Sequence, residues 1–133
     1  MRYLLDTHVW LWSHEAHEKF GRKTQRILTS SEDERVISAI STFEIARLID
    51  RGRLLLRQSF ATWKTQSLHD LVATTIDVTH EMAWEAYNLP GVFHKDPADR
   101  VLVATARLHG LTLLTADDSI LRYRHVKSFS AAR

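Results

Sequence analysis

Residues 94–120 read HKDPADRVLVATARLHGLTLLTADDSI, and this stretch predicts a helix followed directly by a buried strand. Asp96 is a suitable N-cap, Pro97 fits the first helical position, and Gly110 is a residue that commonly ends a helix. The apolar run LTLLT at 111–115 has the length and composition of a strand that is covered on both faces. A helix that leads at once into such a strand is typical of a parallel α/β sheet.

The rest of the chain repeats this alternation of short apolar runs with amphipathic segments. Parallel strands joined through helices form right-handed crossovers, so that helices cover both faces of the sheet. The sequence therefore predicts a single domain over residues 1–133, a three-layer α/β/α sandwich around a central parallel sheet of about five strands. The predicted strands are RYLLD at 2–6, RVISA at 35–39, TTIDVT at 74–79, LTLLT at 111–115 and HVKSF at 125–129.

The segment STFEIARLIDRGRL, residues 41–54, predicts another of the amphipathic helices. Ser41 and Glu44 have the spacing of a capping box, in which Ser41 is the N-cap. Gly52 is expected to end the helix. The apolar stripe that we expect to face the core consists of Phe43, Ala46, Leu48 and Ile49.

The composition is that of an ordinary globular protein, because 44% of the residues are hydrophobic, 26% are charged and the net charge is only +2. The chain has no cysteine, which excludes disulfides and thiolate metal sites. Asp6 and His8 interrupt the first apolar run too early for the core of a signal peptide. No apolar stretch reaches the roughly 18 residues of a membrane span. We therefore expect a cytoplasmic protein without a membrane partner.

Carboxylates follow the predicted strands or lie in the first turns of the helices behind them. Taken singly, each is explained as a helix cap, since acids at helix N-termini are favoured by about 0.3–1 kcal/mol. Thr115 would then be the N-cap of a short helix after the fourth strand. The acids are Asp6 after the first strand, Glu44 and Asp99 in helical first turns, and Asp117 with Asp118 after the fourth strand.

Taken together, the acids indicate a bound cation. Parallel topology gathers the strand ends at one edge of the sheet, so these carboxylates share one small cleft. Two unit charges about 5 Å apart repel by about 3 kcal/mol at an effective dielectric constant of about 20. The cluster must take up protons, recruit an arginine or bind a hard cation, and oxygen ligands favour Mg²⁺ or Mn²⁺ over zinc. Such an ion suits phosphodiester hydrolysis, because it polarises the phosphate and activates a water molecule.

Three stretches of the sequence, which together contain four motifs, resemble the PIN domain (PilT N-terminus) family, specifically the VapC-type toxins of toxin–antitoxin modules. They are LLDTHVWLW, ISAISTFEIARLIDRGRL and HKDPADRVLVATARLHGLTLLTADDSI, which occur in the order and approximate spacing of the family. The resemblance covers nearly the whole chain. It implies a homodimer, an endoribonuclease that cleaves RNA with Mg²⁺ or Mn²⁺, and neutralisation by a small VapB-like antitoxin.

The resemblance also assigns roles to individual residues. Thr7 and Thr115 are expected to support the site as polar neighbours. Asp96 joins its edge as a further metal ligand, and the doubled acid leaves Asp117 and Asp118 as alternatives for the fourth ligand. The catalytic, metal-binding acids implied by the resemblance are Asp6, Glu44, Asp99 and Asp117.

Candidate RNA contacts lie close to these acids in the sequence. Arg47 and Arg51 are one helical turn apart on the helix that carries Glu44, and His8 and His94 are near Asp6 and Asp96. Basic groups elsewhere are assigned to solvated surface, because charged faces usually have no further role. That assignment includes Arg122, Arg124 and Lys127.

Three more residues have structural expectations. Arg100 is expected to pair with a carboxylate and restrain the site. Trp10 and Trp12 are expected to pack in the core or in a dimer interface.

Two other functions remain open at this point. An aspartyl-phosphate phosphatase would use Asp6 as its nucleophile, although such enzymes need a second aspartate where this chain has His8. A catalytically idle PIN scaffold would serve as a binding or regulatory module.

Overall fold

A five-stranded parallel sheet forms the centre of the computed structural model, which describes residues 1–132. Its strands are β1 (Arg2–Leu5), β2 (Glu34–Ser38), β3 (Thr74–Ile76), β4 (Thr112–Thr115) and β5 (Ser128–Ser130). They lie in the order β3-β2-β1-β4-β5, and every neighbouring pair is parallel. The predicted five-stranded parallel sheet is confirmed.

Helices cover both faces of the sheet. Leu5 packs with Trp10 and Trp63 on one face, whereas Leu4 packs with Leu102 on the other. Because successive side chains of a strand point to opposite faces, these two clusters lie on the two sides of the sheet and confirm the three-layer sandwich. Within residues 1–132, every helix is too short or too polar to span a lipid bilayer. The helices of residues 1–132 are α1 (Thr7–Glu15), α2 (Arg22–Thr29), α3 (Ala39–Asp50), α4 (Phe60–Leu71), α5 (His80–Glu85), α6 (Pro97–His109) and α7 (Asp118–Leu121).

Helix α6 begins and ends as its local sequence predicts. The Asp96 side chain accepts a hydrogen bond from the backbone N–H of Asp99 at 3.1 Å, and Pro97 follows as the first helical residue. Gly110 ends the helix in the left-handed conformation, with φ 63°, which glycine adopts without steric cost. These caps fix where the first turn of α6 lies, and with it the position of Asp99.

Helix α3 begins three residues earlier than predicted. Ser38 is its N-cap and accepts a hydrogen bond from the N–H of Ile40 at 3.0 Å, so the prediction of Ser41 as N-cap is wrong. The Ser41 hydroxyl is buried and instead accepts a hydrogen bond from Thr7 Oγ1 at 2.9 Å. Ser41 thus ties α3 to α1, and Glu44 lies in the second helical turn rather than the first.

The apolar stripe predicted to face the core on α3 is also wrong. Phe43 is 66% exposed and Ile49 is 39% exposed, while Ser41 and Ile45 are buried. The face of α3 that is covered is the one that contacts α1 and α6. The buried residues on that face are Ser41 and Ile45. Phe43 and Ile49 of the predicted stripe therefore leave apolar surface exposed to solvent.

Strand β5 lies later in the chain than the predicted run at 125–129. Its pairing with β4 joins Leu113 to Ser128 and Thr115 to Ser130. The register of β4 sets these positions, since a strand at the edge of the sheet pairs where its neighbour offers free backbone groups.

One backbone conformation in the described chain is strained. Val72, which ends α4, has φ 49° and ψ 45° and is 76% exposed. The left-handed conformation costs an L-residue roughly 1–2 kcal/mol, a cost that glycine avoids. We expect Val72→Gly to raise the free energy of unfolding by about 1 kcal/mol in urea denaturation. Val92→Gly, at a position that is 94% exposed and has no positive φ, is expected to lower it; equal effects of the two changes would contradict this.

Candidate metal centre

A cleft of about 290 Å³ opens beyond the carboxyl ends of β1 and β4. Parallel strands end at the same edge of the sheet, which is why residues distant in sequence meet there. Five of the lining residues carry carboxylates, so the cleft is strongly acidic. The lining consists of Asp6, His8, Trp12, Glu44, Asp96, Asp99, Ala116 and Asp117.

Asp6 forms the buried floor of the cleft, directly after β1. Its Oδ1 accepts a hydrogen bond from the Thr7 N–H at 2.7 Å, and its Oδ2 accepts one from Thr115 Oγ1 at 2.6 Å. The same Thr115 oxygen accepts a hydrogen bond from the Asp117 N–H at 3.0 Å. Burial raises the pKa of Asp6, while the hydrogen bonds from Thr115 and Thr7 oppose the rise. The two threonines therefore orient this carboxylate.

The N-cap of α7 is Asp117, and the prediction of Thr115 in that role is wrong. Thr115 ends β4, where its hydroxyl already bonds the carboxylate after β1. Asp117 Oδ1 accepts hydrogen bonds from the N–H groups of Ser119 and Ile120 at 2.7 and 3.3 Å. Its Oδ2 has no hydrogen bond within residues 1–132. Asp118 is exposed and does not line the cleft, so Asp117 is the acid that faces the other carboxylates.

Asp99 and Glu44 hold their protons well above the usual carboxyl range. Burial raises the pKa of Asp99 to about 8, and the charges of Asp6 and Asp96 add to the rise. Burial likewise raises the pKa of Glu44 to about 6, with further contributions from Asp96 and Asp6. Arg47 opposes the rise at Glu44 but does not cancel it. The cleft thus carries more negative charge than the protein's own cations neutralise.

His94 lies against the acids rather than in open solvent. Its Nε2 is 3.1 Å from Asp99 Oδ2, yet this buried nitrogen makes no hydrogen bond within the described chain. His94, Asp99 and Asp117 each offer one atom that could bind a metal ion, and these three atoms lie within 4.8 Å of one another. The imidazole is therefore positioned to share a ligand with the two carboxylates.

The residues predicted to contact RNA lie at different distances from the acidic cleft. His8 is exposed and lines the cleft. Arg47 is exposed and close enough to lower the pKa of Glu44, whereas Arg51 lies beyond the end of α3 and outside the cleft lining.

The predicted ion pair of Arg100 with a carboxylate is wrong. Its guanidinium donates hydrogen bonds to the carbonyl oxygens of Ala86, Phe93 and His94, at 3.0, 2.9 and 3.0 Å. Three carbonyl oxygens between Ala86 and His94 accept these hydrogen bonds from the guanidinium. Arg100 thereby fixes the loop that carries His94.

Trp12 is a lining residue that sequence reasoning missed. The expectation of packing holds for Trp10, which is fully buried and donates Nε1–H to Ser67 Oγ at 3.0 Å. The expectation also holds for Trp12, which is partly buried and packs against the same core cluster. Its ring forms a wall of the cleft as well, 6.0 Å from that of His8 and 5.0 Å from Lys19 Nζ. The spacing of four residues between His8 and Trp12 was the available signal, because it puts both on one helical face.

The donor set fits a hard divalent cation. Carboxylate oxygens are the ligands that Mg²⁺ and Mn²⁺ prefer, and Mn²⁺ also accepts an imidazole nitrogen. Burial is the main cause of the raised pKa of Asp99, and the charges of the other cleft carboxylates raise it further, so these carboxylates repel one another without a cation. Asp6, Glu44, Asp99 and Asp117 would hold such an ion, with Asp96 at the edge of the cleft.

Comparison with known proteins agrees with this geometry. The family model described as PIN domain matches residues 3–126. The chain is 34% identical over 122 residues to Ribonuclease VapC22 of Mycobacterium tuberculosis, a match that covers 92% of each chain.

Solved structures share the fold at low sequence identity. VapBC2 from Rickettsia felis, bound to a promoter DNA fragment, has a TM-score of 0.68 at 15% identity, covering 98% of this chain and 99% of that one. FitAcB from Neisseria gonorrhoeae has a TM-score of 0.63 at 19% identity, covering 96% of each chain. From the family match, the VapC22 relative and the shared fold, we conclude that this chain belongs to the PIN domain family, as a VapC-type member.

Proposed function

We propose that the chain is a Mg²⁺- or Mn²⁺-dependent endoribonuclease that acts in the cytoplasm as the toxin of a type II toxin–antitoxin system, with residues 1–133 forming one PIN domain. The observation that carries this proposal is the convergence of Asp6, Glu44, Asp99 and Asp117 in one cleft, although they come from four separate parts of the chain. The name of the relative, Ribonuclease VapC22, supports the same activity.

The acids would hold a metal ion, and one of them would also accept a proton during hydrolysis. A bound ion would polarise the phosphate and lower the pKa of an attacking water molecule. Asp6, oriented by Thr115 and Thr7, would hold that ion together with Glu44, Asp99 and Asp117. Glu44 is half-buried and has no hydrogen bond or ion pair within residues 1–132, and its pKa of about 6 lets it accept a proton near neutral pH. We assign proton transfer from the water molecule to the Glu44 carboxylate.

We further propose a small VapB-like antitoxin and a second copy of the chain as protein partners. Both partners would cover apolar surface that the isolated chain exposes. Phe43 on α3 is 66% exposed, and Trp84 and Tyr87, on and just after α5, are 73% and 64% exposed. The solved relatives include a toxin–antitoxin complex from Klebsiella pneumoniae, which supports the first of these partners.

Cleavage of RNA by the purified chain tests the proposed activity. We expect internal cuts with Mg²⁺ or Mn²⁺, no cuts with EDTA, and full recovery when Mn²⁺ is added back, because the acids cannot bind the phosphate without a cation. RNA ends are mapped after induction in cells, with and without a co-expressed antitoxin that is expected to suppress the cuts.

Other outcomes would contradict the proposal in distinguishable ways. Cleavage that persists in EDTA would exclude the metal-dependent reaction. Binding of Mn²⁺ without cleavage of any RNA would favour an idle scaffold, and a beryllofluoride adduct on Asp6 would favour a phosphatase.

A further inference from the structure

A second cavity, of about 480 Å³, adjoins the acidic cleft. It lies between residues 91–94 and residues 122–125, with Ser119 at its edge. Two residues link it to the acids: His94 lines the cavity and lies 3.1 Å from Asp99, and the Ser119 N–H donates to Asp117 Oδ1. The cleft and this cavity are therefore neighbouring sites on one side of the molecule.

The walls of the cavity are held in place by buried contacts. Arg100 bonds the carbonyl oxygens of Phe93 and His94, which fixes one wall. The Tyr123 hydroxyl donates to the Pro90 carbonyl oxygen and joins the two walls. The Phe93 and Tyr123 rings are buried and their centroids lie 4.9 Å apart. The cavity is thus formed before any ligand enters.

The charge of this cavity is opposite to that of the cleft. Arg122 and Arg124 line it and are exposed, whereas no carboxylate is among its lining residues. Neither guanidinium forms an ion pair or hydrogen bond with any residue of the described range 1–132. Two unpaired guanidinium groups on a preformed cavity are suited to an anionic ligand, and a phosphate in particular.

An imidazole supplies a planar surface in the same cavity. The His125 ring is exposed and lies 5.4 Å from the Tyr123 ring, centroid to centroid. Gly91 faces this ring, and a Cβ there would lie 3.5 Å from it. The volume falls within the range of about 300–1,000 Å³ of small-molecule sites and is enough for one nucleotide.

We propose that this cavity, termed the basic cavity, binds one unpaired nucleotide of the RNA next to the phosphate that is cleaved. Arg122 and Arg124 contact its phosphate, and the base lies against His125. The inference rests on the proposed nuclease function and adds to it which residues hold the nucleotide beside the cut. The nucleotide is unpaired, since a base must leave its helix to reach such a surface.

Binding of a fluorescently labelled single-stranded RNA in EDTA tests the basic cavity without cleavage. The matched variants are Arg122→Gln/Arg124→Gln and Arg22→Gln/Arg26→Gln, which remove the same charge from exposed positions. For the first we expect affinity to fall about tenfold or more and the slope of log affinity against log salt to fall by about 0.7, because both arginines contact the same phosphate. For the second we expect less than about a twofold change. His125→Ala is expected to weaken binding about fivefold.

The same assay separates the competing outcomes. Equal losses in the two double variants, or tight binding of the corresponding RNA duplex, would overturn the basic cavity. The basic cavity would also be overturned if Arg122→Gln/Arg124→Gln bound RNA with unchanged affinity but no longer bound the antitoxin. Mn²⁺ titration and thermal unfolding are expected to be unchanged in both double variants. If the protein without substitutions binds RNA through this cavity but never cleaves it, the nuclease proposal is contradicted and the basic cavity is not.

Discussion

The Asp99→Asn variant is expected to cleave RNA at least about a hundredfold more slowly than the unchanged protein and yet to be more stable without metal. Loss of a group that only supports a metal ligand already costs about 10–100-fold, and a direct ligand costs at least as much. Asparagine has nearly the same shape but no charge. It therefore removes a ligand and, at the same time, the unfavourable burial of a carboxyl that is only 8% exposed.

The stability gain has a defined dependence on pH. The pKa of Asp99 in the folded protein is about 8, above the value of about 4 in an unfolded chain. Between these values the folded state binds a proton that the unfolded state has lost, so metal-free stability falls as pH rises. The gain from Asp99→Asn grows in the same direction and is at most about 5 kcal/mol near pH 8, because about 4 pKa units separate the folded and unfolded states.

Urea unfolding in EDTA and single-turnover cleavage with Mn²⁺ measure the two effects. Asp50→Asn is the matched control, because Asp50 is an exposed acid at the end of α3 and outside the cleft; it is expected to change neither quantity. A purified Asp99→Asn protein that cleaves at the normal rate would remove Asp99 from the site. A variant that is inactive and also less stable than the unchanged protein would contradict the electrostatic account.

Local chemistry explains which parts of the fold were predictable. Asp96, Pro97 and Gly110 define α6 because each acts through its own backbone geometry or its nearest neighbours. The start of α3 was not predictable in this way, since Ser38 and Ser41 are equally good caps. The choice depends on the hydrogen bond between Ser41 and Thr7, a contact between residues 34 positions apart.

The residues of the candidate site likewise fall into those that were predictable from the sequence and those that were not. The acids were predictable as neighbours because parallel topology alone brings strand ends together. The positions of His94 and of Arg122 and Arg124 were not, because they lie in irregular segments without hydrophobic periodicity. Those segments are held by bonds from Arg100 and Tyr123 to backbone carbonyl oxygens. Such bonds leave no pattern in a sequence, because any residue supplies a carbonyl oxygen.

Binding of Mn²⁺ is expected to release protons near neutral pH. Metal ligands must be ionised, so a carboxyl that holds its proton in the metal-free protein has to give it up. Near pH 7 Asp99, with a pKa of about 8, is mostly protonated, and Glu44, with a pKa of about 6, is mostly ionised. Burial also raises the pKa of Asp6. We therefore expect at least about one proton to leave for each ion bound.

Calorimetric titration in two buffers of different ionisation enthalpy counts these protons directly. Apparent Mn²⁺ affinity should rise with pH by up to about tenfold per unit until pH reaches about 8, where Asp99 is ionised without metal. In Asp99→Asn the proton release and the pH dependence should both shrink, whereas Asp50→Asn should retain them. Binding at full affinity with no proton released would mean that the ion does not contact Asp99. An absence of any Mn²⁺ binding would mean that the carboxylates of the cleft stabilise helix ends and do not hold a metal.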